Sequence, residues 1–204
     1  MKNILFNQFA ENTGFLPSLK IKPQIHDSAT VRNSQILGNI VIEENVHIVN
    51  AVLRADEGTP FFIGKGSNIQ DFVTLHGYST QNKETPIEAN LVNIEGKGLY
   101  SIYISENVSL SHGVLVHGPS YVKENTFIGF KSTIDAANVG ANVEIGAHSY
   151  IKGVTIPDNI GIAPGAIILN EEDIEKYIIP KSGINKKIAK VNQEMALAYN
   201  CCPE

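Results

Sequence analysis

Isoleucine, leucine or valine returns at steps of six, with an occasional five, along most of this chain. The series runs Ile25, Val31, Ile36, Ile42 and Ile48, then Ile63, Ile69 and Leu75. It resumes at Ile104 and continues through Leu110, Val116, Val122, Ile128 and Ile134, then Val139, Ile145, Ile151, Ile156, Ile162 and Ile168. A helix repeats apolar residues near 3.6 and a half-buried strand near 2, so neither accounts for this spacing. Short strands joined by tight turns and wound into coils do, because each strand then stacks one inward residue on its equivalent in the next coil. Glycine beside the marker, as in Ile63-Gly64, Ile128-Gly129, Val139-Gly140 and Ile145-Gly146, fits turns where a Cβ would crowd the backbone. A sandwich of short strands uses similar residues but does not call for so regular a step. The expected fold is all-β, a parallel β-helix over residues 1–170 with a C-terminal helical segment over 171–204 packed on it.

Three strands per coil place Ile63, Ile69 and Leu75 on the three faces of one coil. Ile104, Leu110 and Val116 take the same faces of the next, provided residues 77–103 leave the coil as an inserted loop. That loop is polar and turn-rich, with Gln81-Asn82-Lys83-Glu84-Thr85-Pro86 and Glu95-Gly96-Lys97-Gly98, and its length makes it a candidate rim or lid. An earlier interruption spans Arg54 to Phe62. After Leu169-Asn170 the character changes: Glu171 to Tyr177 reads as a short helical turn, and Ile179-Pro180 breaks the pattern. From there Ile184, Ile188, Val191, Met195 and Ala198 keep a helical spacing. This helix is expected on the side of the solenoid or against a neighbour, helping to protect strand edges exposed at the ends.

Composition narrows the function. A net charge of -5 argues against a nucleic-acid partner. No apolar run approaches the roughly 18 residues that cross a bilayer, and Asn7-Gln8 interrupts the short amino-terminal one, so neither a membrane span nor a signal peptide is expected. A cytoplasmic protein is the expectation. Cys201 and Cys202 are adjacent at the end of the sequence and cannot tie a core.

His76 follows marker Leu75 and His117 follows marker Val116, equivalent places on one face of adjacent coils. Their backbones are then about 4.8 Å apart, close enough for both rings to reach one ion at about 2.0–2.1 Å. His112 follows Leu110 by two places and points across a corner, so a closed threefold assembly would be needed to bring one copy's His112 to another's His76 and His117. An outward histidine on a solenoid is also readily a plain surface or interface side chain, and His26, His47 and His148 are read as structural or surface residues. Glu57 could stand at the mouth of such a site, and Gln70 could donate to a hydroxide within it. Arg54 and Asp56 could form ion pairs across an interface, with Asp71 as a further partner.

Four segments carry a resemblance. They are Leu53-Arg54-Ala55-Asp56-Glu57-Gly58-Thr59-Pro60, Asn68-Ile69-Gln70-Asp71, His76-Gly77 and the run from Val108 to Pro119 that holds Ser111-His112-Gly113 and His117-Gly118-Pro119. With them the chain resembles the gamma-class carbonic anhydrases, from about Leu16 through Ile168 and more loosely beyond. The resemblance implies a homotrimer of left-handed β-helices of hexapeptide repeats. It implies His76, His112 and His117 as ligands of Zn2+, with Fe2+ or Co2+ as alternatives, and His112 supplied across the subunit interface. It also implies an Arg54–Asp71 ion pair, an interface role for Asp56, and Gln70 and Glu57 acting on hydroxide and carbon dioxide. Asn192 and Tyr199 keep the spacing of two residues that approach the site in the family. The implied activity is reversible hydration of carbon dioxide to bicarbonate by a metal-bound hydroxide.

One departure matters: the archaeal-type enzymes carry a proton-shuttling glutamate where this chain has Ser79, leaving Glu84 or Glu88 as other carriers. Carboxysome-assembly relatives share Asp56 to Pro60 but add further repeats that this sequence does not contain, so a scaffold role is not the expectation. A metal-binding protein of weak or no activity, and an acyltransferase using one histidine as general base, stay open as alternatives.

Overall fold

In the computed structural model, which describes residues 4–5, 21–82 and 85–201, the six-residue steps become the three sides of a prism. One side stacks Ser34–Gly38, Val52–Ala55, Thr74–Gly77, Leu115–Gly118, Thr133–Asp135, Tyr150–Lys152 and Ile167–Ile168, with Ile4–Leu5 at its edge. This is the histidine face. A second side, the tyrosine face, includes Phe61–Ile63, Ile102–Ile104 and Ser120–Val122. The third, the helix face, includes Thr30–Arg32, His47–Val49, Asn68–Ile69, Ser109–Leu110 and Phe127–Ile128.

The registers follow the arithmetic of the repeat. Ile63 pairs with Ile104, Ile69 with Leu110 and Leu75 with Val116, all in parallel ladders. All six side chains are fully buried, and burying each contributes about 1.5–3 kcal/mol. Leu53 belongs to the same inward column, paired with Leu75 and fully buried, although the sequence series breaks off before it. The corners have their own regularity. Asn45, Gly66, Asn107, Asn125, Asn142 and Asn159 occupy equivalent places between the tyrosine and helix faces, with φ between 55° and 67°. That left-handed region is open to glycine and tolerated by asparagine. The glycines beside the markers answer a different demand. A Cβ on Gly64 would lie 2.6 Å from the Ser105 carbonyl carbon of the next coil, so close stacking is what excludes it.

The expected loop after His76 is structured. It holds one small hairpin, Gln81–Asn82 with Thr85–Pro86, a 3-10 turn at Glu88–Asn90, and a second hairpin, Val92–Ile94 with Gly98–Tyr100. The second hairpin is fastened to the tyrosine face. Lys97 Nζ donates to Tyr103 Oη at 2.5 Å and lies 5.5 Å from the Phe62 ring centroid, while Phe62 and Tyr103 stack at 4.6 Å. Phe62, Gly64, Lys97, Tyr103 and Tyr121 line a cavity of about 440 Å3.

Helix α1 spans Glu171–Lys176, opened by Asn170, whose side chain accepts from the Asp173 N–H at 3.1 Å. Ile178–Ile179 then runs antiparallel to Gly161–Ile162, a strand the sequence pattern did not reveal. This strand, rather than the terminal helix, closes the end of the helix face. Helix α2, Ile184–Cys201, lies along that face instead. Among its described side chains Asn185 and Asn192 are polar and buried, Ile184 and Ile188 are half-buried, and Val191 and Met195 are exposed.

Candidate metal centre

The parallel ladder sets His76 directly beside His117, residue for residue, because each follows an inward leucine or valine and must point out. Their ring centroids are 5.5 Å apart with planes at 60°. Both rings are largely covered, with 24% and 21% of the side chain exposed. Tyr78 packs its ring edge against His117, 4.4 Å between centroids. His76 Nε2 and His117 Nδ1 are buried and have no hydrogen-bond partner among the described residues. A buried imidazole nitrogen with no partner is costly unless something else meets its lone pair or proton.

His112 is elsewhere, as its position after Leu110 requires. It sits at the corner beyond the helix face, with half its side chain exposed and its ring stacked near Phe130 at 6.1 Å. Among the described residues no group of three His, Cys, Asp or Glu side chains in one protomer is placed to hold a metal. Two of the three implied ligands therefore stand together and the third does not.

Each histidine faces a carboxylate. His112 Nδ1 lies 3.0 Å from Asp71 Oδ2, His76 Nε2 lies 3.6 Å from Asp56 Oδ1, and His117 Nδ1 lies 3.6 Å from Asp135 Oδ1. Asp71 is itself held by Asn50 Nδ2 at 2.8 Å, and that hydrogen bond is the main reason its carboxyl is held below the usual range. Asp56 is held by Arg54, whose Nε donates at 2.9 Å. Within the protomer, then, Arg54 pairs with Asp56, and Asp71 with Asn50 and His112; the Arg54–Asp71 pair implied by resemblance is not formed inside one chain. Burial pushes the His117 imidazole below the ordinary histidine range, which favours the neutral ring that ligates metals.

Glu57 is exposed at the corner next to Asp56, on the same side as His76. Gln70 is on the helix face. Its Nε2 donates to Asn68 Oδ1 at 3.1 Å and its Oε1 accepts from Ser111 Oγ at 3.1 Å. Gln70, Asp71, Ser111, His112 and Asn192 line one cleft of about 530 Å3 under α2, together with His47. Asn192 is buried there but donates to its own helix, to Ile188 O at 3.0 Å. His47, read from sequence as structural or surface, is buried, and desolvation lowers its pKa. The side chain of Tyr199, Glu84 and Cys202 lie outside the described residues. Ser79 Oγ donates to Gln81 O, and Glu88 is exposed in the 3-10 turn. Asp135, Tyr150 and Lys152 were missed, yet the repeat signals Asp135 and Lys152: they follow Ile134 and Ile151 as His117 follows Val116.

Comparison with known proteins decides the family. The chain is 38% identical over 175 residues to the carbonic anhydrase of Methanosarcina thermophila, covering 81% of this chain and 70% of that one. The chain belongs to the gamma-class carbonic anhydrase family. Another relative is the carboxysome assembly protein CcmM of a Nostoc species, 37% identical over 186 residues; the match covers 89% of this chain but spans only 32% of that protein's length. Among solved structures, a Bacillus cereus protein described as an acetyltransferase superposes with a TM-score of 0.62 at 26% identity, covering 87% of this chain and 91% of its own. No protein-family model matches. Among the described residues, no helix of this carbonic anhydrase family member is long and apolar enough to cross a membrane.

Proposed function

We propose that this chain catalyses the reversible hydration of carbon dioxide to bicarbonate and a proton. His76 and His117 of one copy, with His112 of a neighbouring copy in a homotrimer, would hold a divalent ion, zinc or alternatively ferrous iron or cobalt. The observation that carries the reading is the pair of covered imidazoles in register, His76 beside His117 with ring centroids 5.5 Å apart. When bound, such an ion supplies a Lewis acid able to lower the pKa of a water from 15.7 to about 7.

The chain's own residues have distinct tasks in this reading. Asp71, fixed by Asn50, orients His112. Ser111 and Asn68 hold the Gln70 amide, so its position is set before substrate arrives. Glu57, exposed beside Asp56, takes the proton outward to buffer, the task for which Ser79 lacks a titratable group. Arg54, Asp56 and Asp71 would meet their counterparts between copies, and Asn192 and Tyr199 would close the cleft from α2.

The test is anaerobic purification, metal counted per protomer and carbon dioxide hydration followed by stopped flow in the same sample. Activity at one metal per protomer, lost in His112→Ala, is expected. Co-assembling His76→Ala with His112→Ala copies should restore a fraction of it, because some interfaces then hold three intact ligands. Metal-loaded protein without hydration would favour a binding protein, and protein that takes up no metal would overturn the reading.

A further inference from the structure

We propose that Asp135 is the positioning residue of His117, holding its ring with the proton on Nδ1 and the lone pair on Nε2. The inference deepens the metal reading above and rests on it for its chemical consequence. His117, Asp135 and Lys152 are register partners on three successive coils of the histidine face, so the ladder itself fixes their order. The two oxygens of Asp135 are used unequally. Oδ2 receives the Lys152 ammonium at 3.0 Å and the Tyr150 hydroxyl at 3.2 Å. Oδ1 is buried, has no hydrogen-bond partner among the described residues, and faces His117 Nδ1 at 3.6 Å. His117 Nδ1 is buried too and has no hydrogen-bond partner among the described residues.

Two orphaned buried atoms that face each other satisfy both their needs by one hydrogen bond, reached by closing the gap to about 2.9 Å. A carboxylate can only accept, so the bond exists only if Nδ1 carries the hydrogen. A neutral imidazole has one N–H, which leaves the lone pair on Nε2. Metal-binding histidines commonly show this division of labour, one nitrogen on the ion and the other donating to a carboxylate. Tyr150 and Lys152 anchor Oδ2 and so aim Oδ1 at the ring. Asp71 does the same for His112 from a different coil, at 3.0 Å.

The first measurement needs no variant. A long-range nitrogen–proton correlation spectrum of the metal-free wild-type protein at about pH 8, where an ordinary imidazole is neutral, reports the tautomer of His117 directly. The Nδ1–H form is expected; the Nε2–H form overturns the proposal. Asp135→Ala should lose that preference and weaken Zn2+ and Co2+ binding, read by chelator competition, by roughly 10–100-fold. Asp135→Asn, whose carbonyl can still accept, should retain more of both, and Tyr150→Phe should lose least because Lys152 still holds Oδ2. A folded Asp135→Ala protein with unchanged tautomer and unchanged affinity overturns the proposal. If Asp135→Ala does not fold, the wild-type spectrum decides alone. Wild-type protein in the Nδ1–H form that binds neither metal supports the positioning role while removing the metal reading, so the two fail separately.

Discussion

Three glycines from separate turns meet around one serine, and the contact can be dissected. Ser101 is where the chain rejoins the coil after the second hairpin; it is fully buried, and its hydroxyl has no hydrogen-bond partner among the described residues. A Cβ on Gly77 would lie 2.3 Å from Ser101 Oγ, with its next neighbours, the Cα atoms of Gly58 and Gly118, at ordinary contacts of 3.4 and 3.5 Å. Only the hydroxyl obstructs it. A Cβ on Gly118 would meet the same hydroxyl at 2.6 Å and also the Ser101 backbone oxygen at 2.5 Å. Gly77→Ala should therefore cost about 1–3 kcal/mol, as overpacking does in a well-packed core. In a chain of this size that lowers Tm by roughly 2–12 °C. Ser101→Ala alone removes an unsatisfied buried hydroxyl and should be neutral or stabilising. The double variant Gly77→Ala/Ser101→Ala should recover most of the loss, a coupling of about 1–3 kcal/mol. Gly118→Ala should not be rescued, because the backbone oxygen stays. Urea denaturation followed by circular dichroism at one fixed protomer concentration measures the wild type and the five variants, Gly118→Ala/Ser101→Ala among them. Additive single and double variants, or a full rescue of Gly118→Ala, would refute the steric argument.

Two further outcomes follow from the packing. Burial holds His47 and His117 below the ordinary histidine range, so as pH falls through about 6.5 the unfolded chain takes up protons that the folded chain does not. Stability should fall as pH is lowered through that region, and His47→Asn should flatten the dependence; a urea midpoint that rises on acidification contradicts it. Lys97→Met removes the ammonium from Tyr103 and Phe62 while keeping an apolar stem. It should cost about 0.5–2 kcal/mol and speed amide exchange in Val92–Tyr100; unchanged exchange there would show that the ammonium does not fasten the hairpin.

The β-helix was legible because its inward positions are few and chemically uniform: one Ile, Leu or Val per strand, six apart, is a signal that no turn residue can imitate. Leu53 escaped because an insertion follows it at once, so no marker stands five or six residues further on. Val92–Ile94 and Gly98–Tyr100 escaped because a two-stranded hairpin lying on a solenoid buries too little to show a period. His76 beside His117 was readable from the same arithmetic. Whether His112 completes that pair is not a property of one chain's spacing at all, since it depends on how copies meet. The carboxylate opposite each ring was half visible. Asp135 keeps the marker-plus-one position of His117, whereas the Asp71–His112 contact turns a corner and follows no simple step.

A stack of parallel hexads has no intrinsic stopping point. Each coil offers the next a row of donors and acceptors identical to the one it used, and that is also the template on which fibrils grow. The two residues Ile178–Ile179 end this by reversing polarity on Gly161–Ile162, and Pro180, which has no N–H to offer, follows at once. A second solenoid arriving at that side of the prism finds a strand pointing the wrong way. At this end, that face is thereby closed to a further parallel coil.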